Sequence, residues 1–366
     1  MKYFGPGCLA GIALFDWLTL LAQNGFRVSP RYWGKAAFIS ASSVITSVLS
    51  PLERTLHGRR WNALRPEPPI FIVGCWRSGT THLHNLLCLD ERYAAPNMYQ
   101  TMYPHTFLLT EAWLRPVLDS MTPRKRFMDN MPQGLREPHE DEMALAIMTL
   151  RSNMLSWAFP NNAARYDAYL DFEAATEEER TLWKSCFHQF VNKVALRTQK
   201  RTVLKSPNHT ARLKMLRDMY PDARFLHIRR HPYDVFRSMC HMAGKVQPVW
   251  GLQYFPPAQI PDMVIETYRR LYDAYFDQAA DIPKTHLHEI AYEDLVADPV
   301  QVLERTYAAL DLGEFAAVKP KLEKYAADNA GYQKNAHADL PAEDRQRVHQ
   351  QWERFFKAWN YRMAVG

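Results

Sequence analysis

The chain has 366 residues, a mass of 42.7 kDa and a formal net charge of +6, with 47% apolar and 23% charged residues. That is enough for one large core or two modest ones, and it excludes a collagen-like rod, a coiled coil, an extended disordered tail and a multispan membrane protein. The basic excess is small and dispersed, with no run of five Lys or Arg, so it favours anionic ligands in general and no nucleic-acid partner.

The N-terminal region is apolar. Residues 8–22 carry only Asp16 and Thr19 as polar interruptions, and a second apolar stretch with several Ser and Thr runs from Ala36 to Leu49. Each falls short of the ~20 apolar residues that a spanning helix needs. Asp16 also breaks the apolar region a cleavable signal would require. Between them lies the basic and aromatic connector Arg27-Val-Ser-Pro-Arg-Tyr-Trp-Gly-Lys35. Two readings fit: a helical pair packed on the protein's own core as a lid, or peripheral association with a membrane interface. Arg65-Pro-Glu-Pro-Pro69 then stops any helix, which predicts a helical N-terminal segment over 1–66 and a main domain over 67–366.

In the main domain strand and helix signals alternate. Ile70-Phe-Ile-Val73 is a continuous apolar run suited to a buried parallel strand, followed by a turn and a helix to about Leu89. Strands are expected at 202–205, 224–228 and 286–291, and helices at 209–219, 232–242 and 299–310. Longer helical patterns at 140–155, 172–197 and 262–280 read as insertions that cover the sheet and shape a pocket. The alternation predicts an α/β fold, a three-layer α/β/α sandwich with a mainly parallel sheet and a helical N-terminal extension. The five cysteines, Cys8, Cys75, Cys88, Cys186 and Cys240, are odd in number and never form C-x-x-C. They are expected to be reduced thiols in a cytoplasmic protein.

Gly74-Cys-Trp-Arg-Ser-Gly-Thr-Thr81 links the first strand to its helix, where successive N–H groups and the helix N-terminus make a concavity for phosphate or sulfate. Set against G-x-x-x-x-G-K-[ST], both glycines and Thr81 match, but Thr80 replaces the lysine and Arg77 supplies the cation three positions earlier. The second motif, Arg229-Arg-His-Pro-Tyr-Asp-Val-Phe-Arg-Ser238, ends a strand in two arginines and sets a serine on the following helix. Arg grips phosphate bidentately and a helix-borne hydroxyl adds a donor. Together the motifs suit a nucleotide with phosphate groups at two separate places.

These residues resemble the sulfotransferases. Arg77-Ser-Gly-Thr-Thr81 resembles their P-loop-like 5′-phosphosulfate loop, and Arg230 with Ser238 resembles their 3′-phosphate pair. The likeness extends through Leu204-Lys-Ser-Pro207, Pro138-His-Glu-Asp-Glu142 and Tyr292-Glu-Asp-Leu-Val-Ala-Asp-Pro299, and fits the bacterial-type group best. It implies 3′-phosphoadenosine 5′-phosphosulfate (PAPS) as co-substrate and transfer of a sulfuryl group to a hydroxyl, without a metal. By the same resemblance Arg77 stabilises the bridging oxygen, and Ser78, Gly79, Thr80, Thr81 and His82 hold the 5′ group. Lys205 orients donor or acceptor, and Tyr332 and Lys334 close over the phosphates.

The cytosolic steroid and phenol enzymes place Lys at the position of Arg77 and Lys-Thr-His where this chain has Lys205-Ser-Pro207, so the general base is left open among Glu140, Glu142 and His209, with His139 weaker. The acceptor is a small-molecule or lipid hydroxyl. Aromatic residues over 96–113 and 154–159 either line its pocket or belong to the core. A P-loop kinase and a non-catalytic nucleotide-binding relative are the alternative readings. Nothing in the sequence sets the oligomeric state.

Overall fold

The structure, a computed structural model, describes residues 9–122, 134–328 and 339–362. In chain order the elements begin with α1 (Leu14–Gln23), α2 (Trp33–Ala63), β1 (Ile70–Val73), α3 (Thr80–Leu87), β2 (Tyr93–Ala94), α4 (Met98–Met102), α5 (Phe107–Met121) and α6 (Glu142–Thr149). Next come α7 (Leu155–Ala158), α8 (Ala163–Asp167), α9 (Glu177–Thr198), β3 (Arg201–Lys205), α10 (Leu213–Met219), β4 (Arg224–Arg229) and α11 (Pro232–Trp250). The chain continues through α12 (Ile260–Ala279), β5 (Leu287–Ala291), α13 (Tyr292–Ala297), α14 (Pro299–Leu310), α15 (Lys319–Asp328) and α16 (Ala342–Ala358).

By the density of contacts the chain forms two compact units. One takes the described residues of 1–67, 94–202 and 244–256, the other those of 68–93, 203–243 and 257–366. One edge between units falls inside the proline-rich stretch. The N-terminal helices share their unit with two later stretches of chain.

The second unit is built on the sheet, whose strand order is β2-β3-β1-β4-β5. β1 pairs in parallel with β3 and with β4, and β4 with β5. All four residues of β1 are buried, as a central strand covered on both faces requires. Ile70, Ile72, Leu226 and Ile228 join Leu83, Leu86, Leu303 and Tyr307 in one core layer beneath α3 and α14. Each fully buried aliphatic side chain there contributes about 1.5–3 kcal/mol. On the opposite face Phe71 stacks on Phe225 at 5.3 Å, and α12 packs on the short 3-10 turn Pro207–Ala211. Helices on both faces give the expected three layers. The strand order turns about β1, so the loop at its carboxyl end occupies the switch point where α/β folds bind ligands.

The first unit is helical. α2 packs with α1, α5 and α9, and α6 with α4 and α9. Of the three long patterns expected to cover the sheet, only the one that became α12 belongs to the sheet unit; α6 and α9 build the helical one. Trp183, Phe187 and Phe190 of α9 are fully buried there. Lys193 of the same helix forms a buried ion pair with Glu53 of α2 at 2.5 Å, and the Glu53 carboxylate also accepts from the Leu109 N–H.

Candidate active site: the anion cradle

The loop between β1 and α3 is shaped by its glycines. Gly74 has φ +140°, and a Cβ there would sit 2.4 Å from the Ile228 carbonyl oxygen; Gly79, at φ +105°, caps α3. A Cβ on Gly79 would meet Tyr292 Cδ2 at 2.4 Å, so any side chain would displace that ring. Between them Arg77 holds φ +69°, a left-handed conformation costly for any residue but glycine and frequent at ligand clamps. The loop is pinned from several sides. The Gly74 N–H donates to Thr210 Oγ1 at 2.7 Å, the Cys75 N–H to the Tyr272 hydroxyl at 3.1 Å, and Ser78 Oγ to the Cys75 carbonyl at 2.7 Å. Burial pushes the Cys75 thiol well up, which removes it as a thiolate nucleophile.

The second motif meets the first directly. Arg77 Nε donates to Ser238 Oγ at 2.9 Å, and Arg230 Nη1 donates to the Arg77 carbonyl oxygen at 3.1 Å. Arg230 lies over the Tyr292 ring at 4.5 Å, and its Nε is buried with no hydrogen-bond partner among the described residues. A buried guanidinium N–H of that kind suits an anionic oxygen. Lys205 Nζ stands 3.5 Å from Thr81 Oγ1, and Thr80 and Ser78 are buried at the helix start. His82 packs beside Tyr325. The structure thus brings Arg77, Ser78, Gly79, Thr80, Thr81, Lys205, Arg230 and Ser238 together. Tyr332 and Lys334 lie outside the described residues.

The two strand-end arginines diverge. Arg229 pairs with Glu289 at 3.1 Å, while Arg230 turns to the loop and to Asp234 at 3.8 Å. Glu289 also takes hydrogen bonds from the His227 ring at 2.9 Å and the Trp359 indole at 3.1 Å, which ties β4 to β5 beside the cradle. Burial alone would raise the Glu289 carboxyl, but the bond to His227 and the charges of His227 and Arg229 outweigh it and hold the pKa at about 2. A depressed carboxylate adds stability above its ordinary value of 4.5 and loses it as pH falls through the folded pKa. Between pH 6 and 3 the melting temperature is therefore expected to fall further in the parent chain than in Glu289→Gln. Parallel curves would remove Glu289 from the acid response.

The candidate bases are placed differently from one another. His209, expected at the start of a helix, lies in the 3-10 turn instead, fully buried with its ring edge-on to Phe71 at 5.5 Å. Glu142 opens α6, fully buried, and its Oε1 accepts from Ser152 Oγ at 2.6 Å. Glu140 sits half-buried in the preceding turn, and His139 Nδ1 lies 3.1 Å from Thr101 Oγ1. Among the described residues no group of three or more His, Cys, Asp or Glu side chains is placed to hold a metal ion. Of the aromatic segments, Tyr99, Phe107 and Phe159 are core residues and Tyr103 lines a groove.

Thr210, Tyr272 and Tyr292 were not singled out as site residues from the sequence. Thr210 lies three residues past the Lys205-Ser-Pro207 motif, which is a usable signal. Tyr272 sits on the long amphipathic α12, where nothing local distinguishes it from a core tyrosine.

A glycine-shaped loop at the carboxyl end of a parallel strand, with two arginines and a hydroxyl converging on it, defines a P-loop-like group-transfer enzyme for a nucleotide donor. The chain belongs to the sulfotransferase family, which residues 68–316 match. It is 37% identical over 346 residues to the omega-hydroxy-beta-dihydromenaquinone-9 sulfotransferase Stf3 of Mycobacterium bovis and of Mycobacterium tuberculosis, covering 94% of this chain and 89% of theirs. In fold it is similar to the sulfotransferase STF9 of Mycobacterium avium (TM-score 0.69, 17% identity, 95% of this chain and 96% of that one). It is also similar to STF1 of Mycobacterium tuberculosis (TM-score 0.62, 20% identity, 93% of this chain and 91% of that one). The family sets the chemistry as sulfuryl transfer in place of the kinase alternative, and implies PAPS as the donor.

Proposed function

We propose that this cytoplasmic enzyme moves the sulfuryl group of PAPS onto the hydroxyl of a lipophilic acceptor, using Arg77, Arg230 and Ser238 as the donor clamp. The observation that carries the reading is their convergence: Arg230 reaches the Arg77 carbonyl and Arg77 reaches Ser238, all at the glycine loop after β1. In the transfer the acceptor oxygen bonds to sulfur while the bond from sulfur to the bridging oxygen breaks. The electron pair stays on the phosphate of 3′,5′-adenosine bisphosphate, and the acceptor proton passes to a base. Arg77 neutralises the charge growing on the bridging oxygen. The N–H groups of Ser78 to Thr81 and the start of α3 hold the 5′ group, and Arg230 and Ser238 hold the 3′-phosphate. Because the leaving charge settles on a phosphate, the reading needs no metal. Glu140 or Glu142 is proposed as base ahead of His209, which is packed under β1.

A lipophilic acceptor is supported by the 37% identical relatives, whose name gives a hydroxylated dihydromenaquinone as acceptor.

The test is a thermal-shift titration with 3′,5′-adenosine bisphosphate beside ATP and magnesium. At ~100 times its dissociation constant the bisphosphate should stabilise the fold by ~2.7 kcal/mol. Arg230→Ala should weaken it by roughly 1.5–3 kcal/mol for each charge-assisted hydrogen bond lost. A shift with ATP and magnesium alone would overturn the donor assignment.

A further inference from the structure

The helix α2 is built inside out. Its buried row mixes the polar Lys35, Ser43, Thr46 and Glu53 with Ile39 and Trp61, while Phe38, Val44, Ile45, Val48, Leu52 and Leu56 face outward, Val48 with 69% of its surface exposed. A helix on a water-facing surface shows the reverse pattern. The neighbours extend the apolar face. α1, bonded to α2 through Leu14 N–H to Ser47 and the Trp17 indole to Ser40, exposes Phe15 at 80%, and α5 exposes Trp113 and Val117. Exposed large apolar residues gathered on neighbouring helices in this way mark an interaction surface.

The charges around it name the partner. Over residues 9–63 there are six basic side chains (Arg27, Arg31, Lys35, Arg54, Arg59 and Arg60) and two acidic ones, Asp16 and Glu53. Lys35 and Glu53 are both buried, Lys35 against the Gly251 and Val249 carbonyls and Glu53 against Lys193. What remains is five exposed arginines, two before and three after a span from Ala36 to Leu52 that carries no charge. Trp33, also exposed, stands at its start. Apolar residues bracketed by arginine and tryptophan match the acyl boundary and anionic headgroups of a bilayer. A second copy of the chain docking by a two-fold axis would set the same arginines against each other.

We infer that the outward face of α2, with Phe15 of α1 and Trp113 and Val117 of α5, seats in the interface of an anionic lipid bilayer, with α2 lying in the membrane plane. By length and composition α2 is long enough to cross a membrane, contrary to the shorter apolar stretch read from the sequence. Its inner row is bonded to the protein near both ends, however, through Lys35 and Glu53, so one side is covered by protein and only the other is left for lipid. A groove of about 230 Å³ between α2 and α5, lined by Phe38, Ile45, Leu49, Tyr103, Leu114 and Leu118, opens along this face and suits a lipid chain. The inference stands on this surface alone and requires nothing of the donor cradle.

The experiment is co-sedimentation of the full chain with vesicles of phosphatidylcholine, with and without phosphatidylglycerol. The parent chain should sediment with the anionic vesicles and less with the neutral ones. Val48→Glu with Leu52→Glu should lower the vesicle partition about tenfold or more. Its melting temperature and bisphosphate shift should be unchanged, because both side chains are exposed and outside the cradle. Arg59→Glu with Arg60→Glu should abolish the preference for anionic lipid. A parent chain that stays in the supernatant, a double glutamate variant that still binds, or equal binding to both vesicles overturns the inference. So does a parent dimer that the same variant splits without any vesicle binding. Loss of the bisphosphate shift with vesicle binding intact overturns the donor reading instead.

Discussion

Arg77→Ala is expected to slow sulfuryl transfer by about 10²–10³-fold, the usual cost of removing one preorganised charge at a developing oxyanion. The bisphosphate shift should persist, because Arg230 is held by the Arg77 carbonyl oxygen, which alanine retains. Alanine must still occupy the left-handed conformation at φ +69°, so Arg77→Gly is the cleaner partner variant. The same rate loss in both, measured in single-turnover reactions, assigns the effect to the guanidinium. An unchanged rate would remove Arg77 from the chemistry. Glu140→Gln in the same assay should also lose rate with bisphosphate affinity kept; full activity would return the proton to another acceptor.

Lys193→Met is expected to destabilise the helical unit by about 3–5 kcal/mol, the range for breaking a buried ion pair by removing one partner. Lys193 is buried between the Trp61 and Phe107 rings, at 5.3 and 4.7 Å, donates to the Pro104 carbonyl and forms its ion pair with Glu53. Burial pulls its pKa down and pushes that of Glu53 up, each charge offsetting the other's desolvation. Beside it, burial and then the Lys193 charge hold His105 neutral, with a pKa lowered to about 4. Adding Glu53→Leu to Lys193→Met should recover much of the loss, since no carboxylate is then left uncompensated. Leu109 keeps a hydrogen bond to the Thr106 carbonyl in that double variant. Equal instability of the single and double variants in chemical denaturation would show that packing, not charge, sets the cost.

What could be read from the sequence was what local chemistry decides. Ile70–Val73 and Pro299–Leu310 appear with the expected bounds, one a β-branched apolar run and the other a proline-started helix. The cradle was legible because glycine spacing and the arginines after β4 carry their chemistry in short segments. The true length of α2 was not. The helix runs past the apolar stretch read from Ala36 to Leu49 into charged residues, and Lys193, 140 positions after Glu53, pairs with that carboxylate where it is buried. Nor was the 3-10 turn at Pro207–Ala211, where His209 packs inward because β1 presents Phe71 to it. The meeting of Arg77 with Ser238 spans 161 positions, and no periodicity encodes it.

Tyr292 touches both halves of the clamp. One edge of its ring fills the space a Cβ on Gly79 would take, and its face carries the Arg230 guanidinium. The same ring therefore braces the glycine turn and the arginine at once, so a side chain added at Gly79 is expected to disturb Arg230 through it. Under the proposed donor assignment, a nucleotide with anionic groups at both its 5′ and 3′ positions is expected to engage the glycine loop and Arg230 together.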